Sequence, residues 1–377
     1  MIDIKEKYKC SGCGACFAVC PVTAIEMKFD REGFKYPIVD SDKCIGCNLC
    51  SKTCPIENFD FKHKDVSSQI STHAFKSFSD KRLDSSSGGV FYELSNEFLD
   101  SGGLVVGAAF DQNFNLCHRI IDNIDDIKPL MGSKYVQSDT YEVFKEIKEV
   151  ITAGKKVLYF GLTCQIEGLI KYIGNDSNLF TIDLICMGVP SPKIWTLYLD
   201  TFFERSNIEY VNYKDKRLGW HKFSFVLKEK NKTEFFQEGF DNYYMECMFK
   251  GYTLRPSCYK CVFKCENKKS DLTIADCWGC EDYLPEIDDN KGISMIISHS
   301  EKGENLLSFL KNKGEIIAFD YSNVLKYNSH YNNCAEIKGN RTLFFAFVSK
   351  YPRVTFSLLG KNPNKSLVGK MFRKFKI

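Results

Sequence analysis

Eight cysteines in the first 54 residues carry the clearest chemistry in this chain. They fall in two runs, CSGCGACFAVCP (Cys10, Cys13, Cys16, Cys20) and CIGCNLCSKTCP (Cys44, Cys47, Cys50, Cys54), each C-x2-C-x2-C-x3-C-P. With 18 cysteines in 377 residues, four at preset offsets arise by chance about 5 × 10⁻⁶ times per start, or about 0.002 over the chain, and here the pattern occurs twice. Two-residue gaps wrap the backbone around one corner of a cubane so that three thiolates converge. Backbone amides then point at the sulfurs and offset their charge. In two-cluster ferredoxins the fourth cysteine of each run serves the other cluster, which assigns Cys10, Cys13, Cys16 and Cys54 to one 4Fe-4S centre and Cys44, Cys47, Cys50 and Cys20 to the other. A pair of zinc knuckles is the alternative, but zinc gains nothing from the additional x3-C-P.

Composition agrees with an intracellular metalloprotein. A cysteine content this high without an apolar leader argues for metal rather than disulfides. MIDIKEKYKC has no h-region or cleavage site, and no stretch approaches the roughly 18 apolar residues of a membrane span, so a soluble, cytoplasmic chain is expected. Lys+Arg 51 against Asp+Glu 48 is too balanced for recognition of nucleic acid by bulk charge. Apolar content of 44% and this length suit two or three domains.

The elements that must position these residues follow. AIEMKFDREGFKYPIVD alternates on both sides of a turn at Asp30 to Gly33 and reads as a hairpin closing a domain over 1–60, with a polar linker over 61–74. Strand-then-helix patterns come next. SSSGGVFYELSNEFLDSGG offers a Ser N-cap, a Gly pair and helical apolar spacing, a start that suits a phosphate or is a plain cap with a glycine hinge. Two further strand-to-helix switches place Cys164 and Cys186 at strand ends, where α/β sheets bind ligands, although a lone cysteine there is also an ordinary core thiol. SCYKCVFKCENKKSDLTIADCWGC contains the pair Cys258 and Cys261, which lacks its other two ligands locally. Cys164 and Cys186 are candidates to complete a third centre, with Cys265, Cys277 and Cys280 as rivals.

Six ordered motifs, SSSGGVF (85–91), GSKYVQS (132–138), CQIEGL (164–169), DLIC with GVPSP (183–192), LRPSCYKC (254–261) and SDLTIADCWG (270–279), resemble the beta subunit of coenzyme F-420 hydrogenases and dehydrogenases fused to a two-cluster ferredoxin. The resemblance implies an α+β chain, with an N-terminal bacterial-type ferredoxin domain followed by an α/β flavin-binding core whose two parts span 75–195 and 196–340. It favours Cys164, Cys186, Cys258 and Cys261 as ligands of a third 4Fe-4S cluster beside FAD. Ser87, Gly88, Gly89, Gly132, Ser133, Lys134 and Asp276 become flavin-pocket candidates, with Lys134 a cation for the isoalloxazine or pyrophosphate or else a solvated lysine, and Trp278 beside Asp276.

Where the family pattern leads one to expect G-T-P-C, C-H-G-V and D-F-W-G, this chain has GLTC, CMGV and DCWG, which puts the family's substrate in question and leaves the cluster ligands intact. The function implied is an iron–sulfur flavoprotein oxidoreductase exchanging electrons with an organic substrate or deazaflavin, or else an electron-transfer subunit docking on a redox partner protein, or a reductase in surface polysaccharide biosynthesis. The segment 341–377 holds nine Lys/Arg and no Asp or Glu, with apolar residues interleaved. It reads as a basic tail able to lie on an anionic membrane surface, or as a docking tail or solvated helix. Direction of electron flow, acid–base residues and oligomeric state carry no signal.

Overall fold

The computed structural model describes residues 1–60, 70–264, 266 and 268–360. The first unit pairs β1 (Ile25–Phe29) antiparallel with β2 (Lys35–Val39), Gly33 turning between them at φ +85°. Each cysteine run passes into a short helical turn, Ala15–Ala18 and Leu49–Thr53.

The core is one eight-stranded mixed sheet. Its strands are β3 (Ser71–Ser77), β4 (Leu104–Phe110), β5 (Leu116–Ile121), β6 (Val157–Leu162), β7 (Leu179–Leu184), then β11 (Leu272–Asp276), β12 (Ser294–Ser298) and β13 (Gly314–Ala318). Between β7 and β11 in the chain, β8 (Ile208–Asp215), β9 (Ser224–Glu229) and β10 (Phe235–Glu238) form a separate antiparallel sheet. Spatial order in the large sheet is β13-β3-β12-β11-β7-β6-β4-β5, and β4, β6, β7 and β11 run parallel.

Parallel strands covered on both faces read as continuous apolar runs, and VLYFGL of β6 is one. Leu158 and Phe160 join the layer under the helices Val90–Asp100 and Glu301–Leu310, while Val157 and Tyr159 face Tyr141–Thr152 and Thr163–Ile173. All four parallel strands point their carboxyl ends to one edge, which therefore carries Thr163 and Cys164 after β6, Cys186 after β7 and Asp276 at the end of β11.

Three boundaries differ from those expected of the sequence. β3 takes in Ser71 to Ala74, expected to be linker; STHA is polar, yet as an inner strand it is held by backbone ladders to β12 and β13 that side-chain polarity does not reveal. The segment from residue 341 is no free tail as far as residue 360. The helices Arg341–Val348 and Pro352–Leu359 bury Phe344, Val348 and Phe356 in the aromatic core around Trp195, Tyr198 and Tyr244, so those side chains are unavailable to a membrane. Cutting the chain at residue 355 would remove Phe356 from that core. Residues 361–377, the rest of the tail, lie outside the described residues, as do 61–69 of the linker. The division at 195/196 falls inside the helix Pro192–Phe202. Among the described residues no helix is long and apolar enough to cross a membrane.

Burial also writes a pH dependence into the sheet. His118 on β5 is buried, stacked on Tyr159 at 5.2 Å and bonded through Nε2 to the Phe160 carbonyl at 3.1 Å. Desolvation lowers its pKa from 6.5 to about 4. The unfolded chain takes up the proton near pH 6.5 and the folded chain does not, so stability is complete above that pH and falls as pH drops toward 4. The loss amounts to about 2 kcal/mol by pH 5. His118→Gln is expected to lose less melting temperature between pH 7 and pH 5 than the wild type; parallel profiles would contradict the assignment.

Candidate metal and electron-transfer site

Left-handed glycines and buried thiols build the first centre. Gly12 and Gly14 adopt φ +74° and +81°, letting the loop curl so that Cys10, Cys13 and Cys16 turn inward. Cys54 arrives from the end of Leu49–Thr53, and the four thiols sense one another electrostatically. Burial pushes Cys13 up to about 12 and raises Cys16 and Cys54, while the amides of Ala15, Phe17, Ile56 and Glu57 oppose that shift. In the other set, Ile2 N donates to Cys50 Sγ and Ala24 N to Cys20 Sγ, both at 3.2 Å. Cys44 is half-buried and Cys47 exposed, next to the exposed side chain of Ile45.

A third set assembles across the chain. Cys164, Cys186, Cys258 and Cys261 line one cavity of about 610 Å³. Its far wall is the N-terminal segment Asp3 to Lys9 with Ile56 and Glu57, so it lies between the two units. Burial pushes Cys258 up to about 12 and raises Cys164 and Cys261; proximity to the other thiols adds to each shift. Gly188 N donates to Cys186 Sγ at 3.2 Å and Val189 N to Cys258 Sγ at 3.4 Å. The rivals stand elsewhere. The free thiols of Cys277 and Cys280 hydrogen-bond one another in a separate buried layer with Trp220 and Ile287, and Cys265 lies outside the described residues. Cys334, unnoticed in the sequence, donates from Sγ to the Cys261 carbonyl at 3.5 Å.

Four-thiolate sets are the donors that 4Fe-4S clusters take. Among the described residues no three cysteine sulfurs lie within 4.8 Å of one another, and the one group that meets this spacing is His221, Glu281 and Asp288. Tetrahedral zinc with thiolates at about 2.3 Å needs sulfurs about 3.8 Å apart.

A buried polar network anchors Cys164. Thr163 and Thr273 donate to Asp183, Ser270 Oγ donates to Asp183 Oδ1 at 2.9 Å, and Lys268 pairs with Asp183 at 3.5 Å. These contacts hold the Asp183 carboxyl below its ordinary range against full burial. Gln165 accepts from Leu162 N at 2.8 Å, fixing the helix start.

The first and third sets meet at Gly168, one turn after Cys164. A Cβ there would stand 2.8 Å from Cys13 Sγ. Gly168→Ala is therefore expected to displace Cys13 and lower iron content, with the hairpin unit still folded; full iron loading in that variant would contradict this contact.

The flavin candidates gather at the same sheet edge, and none of them lines the cavity. Ser133 Oγ donates to Ser86 Oγ at 2.8 Å, joining the Gly132 turn to the Ser85–Gly89 loop. Gly89, not a serine, is the N-cap of Val90–Asp100, at φ +97° and without a side-chain cap. Ser87 spends its hydroxyl on the Ile293 carbonyl at 2.6 Å, and Gly88 is a close-approach glycine whose Cβ would lie 2.0 Å from the Phe75 carbonyl oxygen. Lys134 is no solvated lysine. Its Nζ caps the carbonyls of Leu130, Met131 and Gly132 at 2.8–3.1 Å, and burial lowers it to about 7. Asp276 accepts from Lys214 and from Trp220 Nε1, and Trp220 stacks on Trp278 at 4.9 Å. Tyr135, which sequence reasoning passed over, is half-buried, with its hydroxyl pKa raised by burial, and packs in the same apolar cluster as Cys258.

Residues 9–58 match the model of a 4Fe-4S dicluster domain, and residues 154–323 match the model of the C terminus of the coenzyme F420 hydrogenase/dehydrogenase beta subunit. The chain is thus similar to a dicluster domain over residues 9–58 and to the C-terminal region of that beta-subunit family over residues 154–323. Among solved structures, a chain of the xenon-derivatised F420-reducing [NiFe] hydrogenase complex from Methanosarcina barkeri aligns over 78% of this chain and 90% of its own, with 14% identity and a TM-score of 0.46. No curated protein matches the sequence. The dicluster domain and beta-subunit region together make the chain an iron–sulfur electron-transfer protein of the oxidoreductase class.

Proposed function

We propose that this chain holds three 4Fe-4S centres and one FAD and passes electrons between its dicluster domain and an organic substrate or deazaflavin. The observation that carries the reading is the third quartet, Cys164, Cys186, Cys258 and Cys261, on one cavity beside the Cys13 loop. Iron–sulfur centres carry single electrons, and a flavin takes one or two and exchanges hydride.

The chain's own residues supply the rest. Cysteines from both runs and from the core hold iron, and the amides of Gly188 and Val189 offset thiolate charge. The FAD phosphates fit the uncapped start of Val90–Asp100, where Ser86 and Ser133 add hydroxyls. Gly132 lies beside it at φ +80°, where a Cβ would meet nothing within 4 Å. Tyr135 lies within electrostatic reach of Ser133, Asp276 and Cys186. Lys134 serves as a turn pin in this reading.

Heat release of flavin from anaerobically purified protein tests the proposal, with about one FAD per chain expected from this single cradle. Iron-loaded protein without flavin, unable to oxidise a reduced deazaflavin alone, would instead indicate an electron-transfer subunit working with a redox partner.

A further inference from the structure

Arg255 is fully buried, yet none of its hydrogen-bond partners is a carboxylate. Nε donates to the Cys10 carbonyl at 2.7 Å and one terminal nitrogen to Gln137 Oε1 at 2.9 Å. The other donates to the Lys35 carbonyl at 2.9 Å and faces Cys10 Sγ at 3.5 Å. The guanidinium lies over the Tyr36 ring at 4.3 Å and Phe34 at 5.4 Å. The nearby Lys35 ammonium is already paired, with Asp139 at 2.7 Å. Buried charges are ordinarily matched by an opposite charge, because dipoles alone recover only part of the lost hydration. Among the described residues, no carboxylate bonds Arg255, and the carboxylate of Asp139 nearby is taken by Lys35.

The same residue reaches the third set through its backbone. Its N–H donates to the Val189 carbonyl at 2.9 Å and its carbonyl accepts from Cys258 N at 2.9 Å, while Val189 N in turn faces Cys258 Sγ. Gly12 is glycine partly for this side chain, since a Cβ there would stand 2.8 Å from a terminal nitrogen of Arg255.

We propose that Arg255 is a positioning residue whose positive charge is the counter-charge of the iron–sulfur centre held by Cys10, Cys13, Cys16 and Cys54, raising its reduction potential. The inference rests on the reading of those four cysteines as one centre. One-electron reduction adds one negative charge without breaking a bond, and a cation against a ligand sulfur stabilises the reduced form more than the oxidised.

The test is an EPR-monitored dithionite titration of the anaerobic full chain as wild type, Arg255→Gln and Arg255→Lys, with iron and sulfide measured on each sample. With wild-type iron content, Arg255→Gln is expected to shift one dicluster midpoint to more negative potential, and Arg255→Lys to shift it less. An iron-loaded Arg255→Gln with every midpoint unmoved overturns the proposal. If Arg255→Gln takes up no iron, uptake by Arg255→Lys supports a requirement for charge, and equal failure of both overturns it. A wild type without iron would defeat the underlying reading instead.

Discussion

Cys164→Ser is expected to remove about four irons per chain and leave about eight, because one quartet loses a ligand while two remain complete. Cys164 opens the helix Thr163–Ile173 at the carboxyl end of β6, and its three partners come from the end of β7 and from the Cys258–Cys261 turn. A serine hydroxyl is a far poorer iron ligand than thiolate at neutral pH. Cys280→Ser is the control. The Cys280 thiol hydrogen-bonds Cys277 in another layer, so its loss is expected to leave iron unchanged. Iron analysis of both variants checks the assignment, and the reverse pattern would transfer the third centre to the Cys277–Cys280 pair.

The second large effect is on stability. Lys268 and Asp183 form an ion pair whose side chains are 4% and 0% exposed. Breaking such a pair from one side leaves an uncompensated buried charge and costs about 3–5 kcal/mol. Three hydroxyls already serve the Asp183 carboxylate, so Lys268→Met belongs at the lower end, about 3 kcal/mol. The double variant Lys268→Met with Asp183→Asn removes both charges and is expected to recover part of the loss. Thermal melts of the two single variants and the double complete the cycle; strictly additive losses would show that the pair is not coupled. Since Asp183 sits below its ordinary pKa, the pair's contribution is present above the unfolded carboxylate pKa and lost as pH falls through the folded value.

How much of this was legible in the sequence depends on range. The dicluster runs are local, so offsets within ten residues and the hairpin between them announce the first unit completely. Strand-then-helix alternation gave the parallel part of the core, because β6 is apolar through its length and β7 is interrupted only by Thr181 and Asp183. The third quartet was legible only as alternatives, since no spacing says which strand ends lie side by side; the order β11-β7-β6 is what seats Cys186 and Cys164 on one edge.

Side-chain direction was hidden altogether. Lys134 turns into its own loop, the Ser87 hydroxyl is donated to the Ile293 carbonyl, and Gly88 makes room for β3. Arg255 and Tyr135 lay inside quoted motifs without any local pattern to single them out, because their importance comes from partners far along the chain. The helices after residue 340 looked like part of a basic tail because the segment was read together with the six Lys and Arg of 361–377, although Phe344, Val348 and Phe356 face the core.

Total iron and acid-labile sulfide on the anaerobically purified full chain tests the central claim most directly. Three cubanes give about twelve irons and about twelve sulfides per chain, with a paramagnetic signal after dithionite. Four or fewer irons, or zinc in place of iron without sulfide, would contradict it.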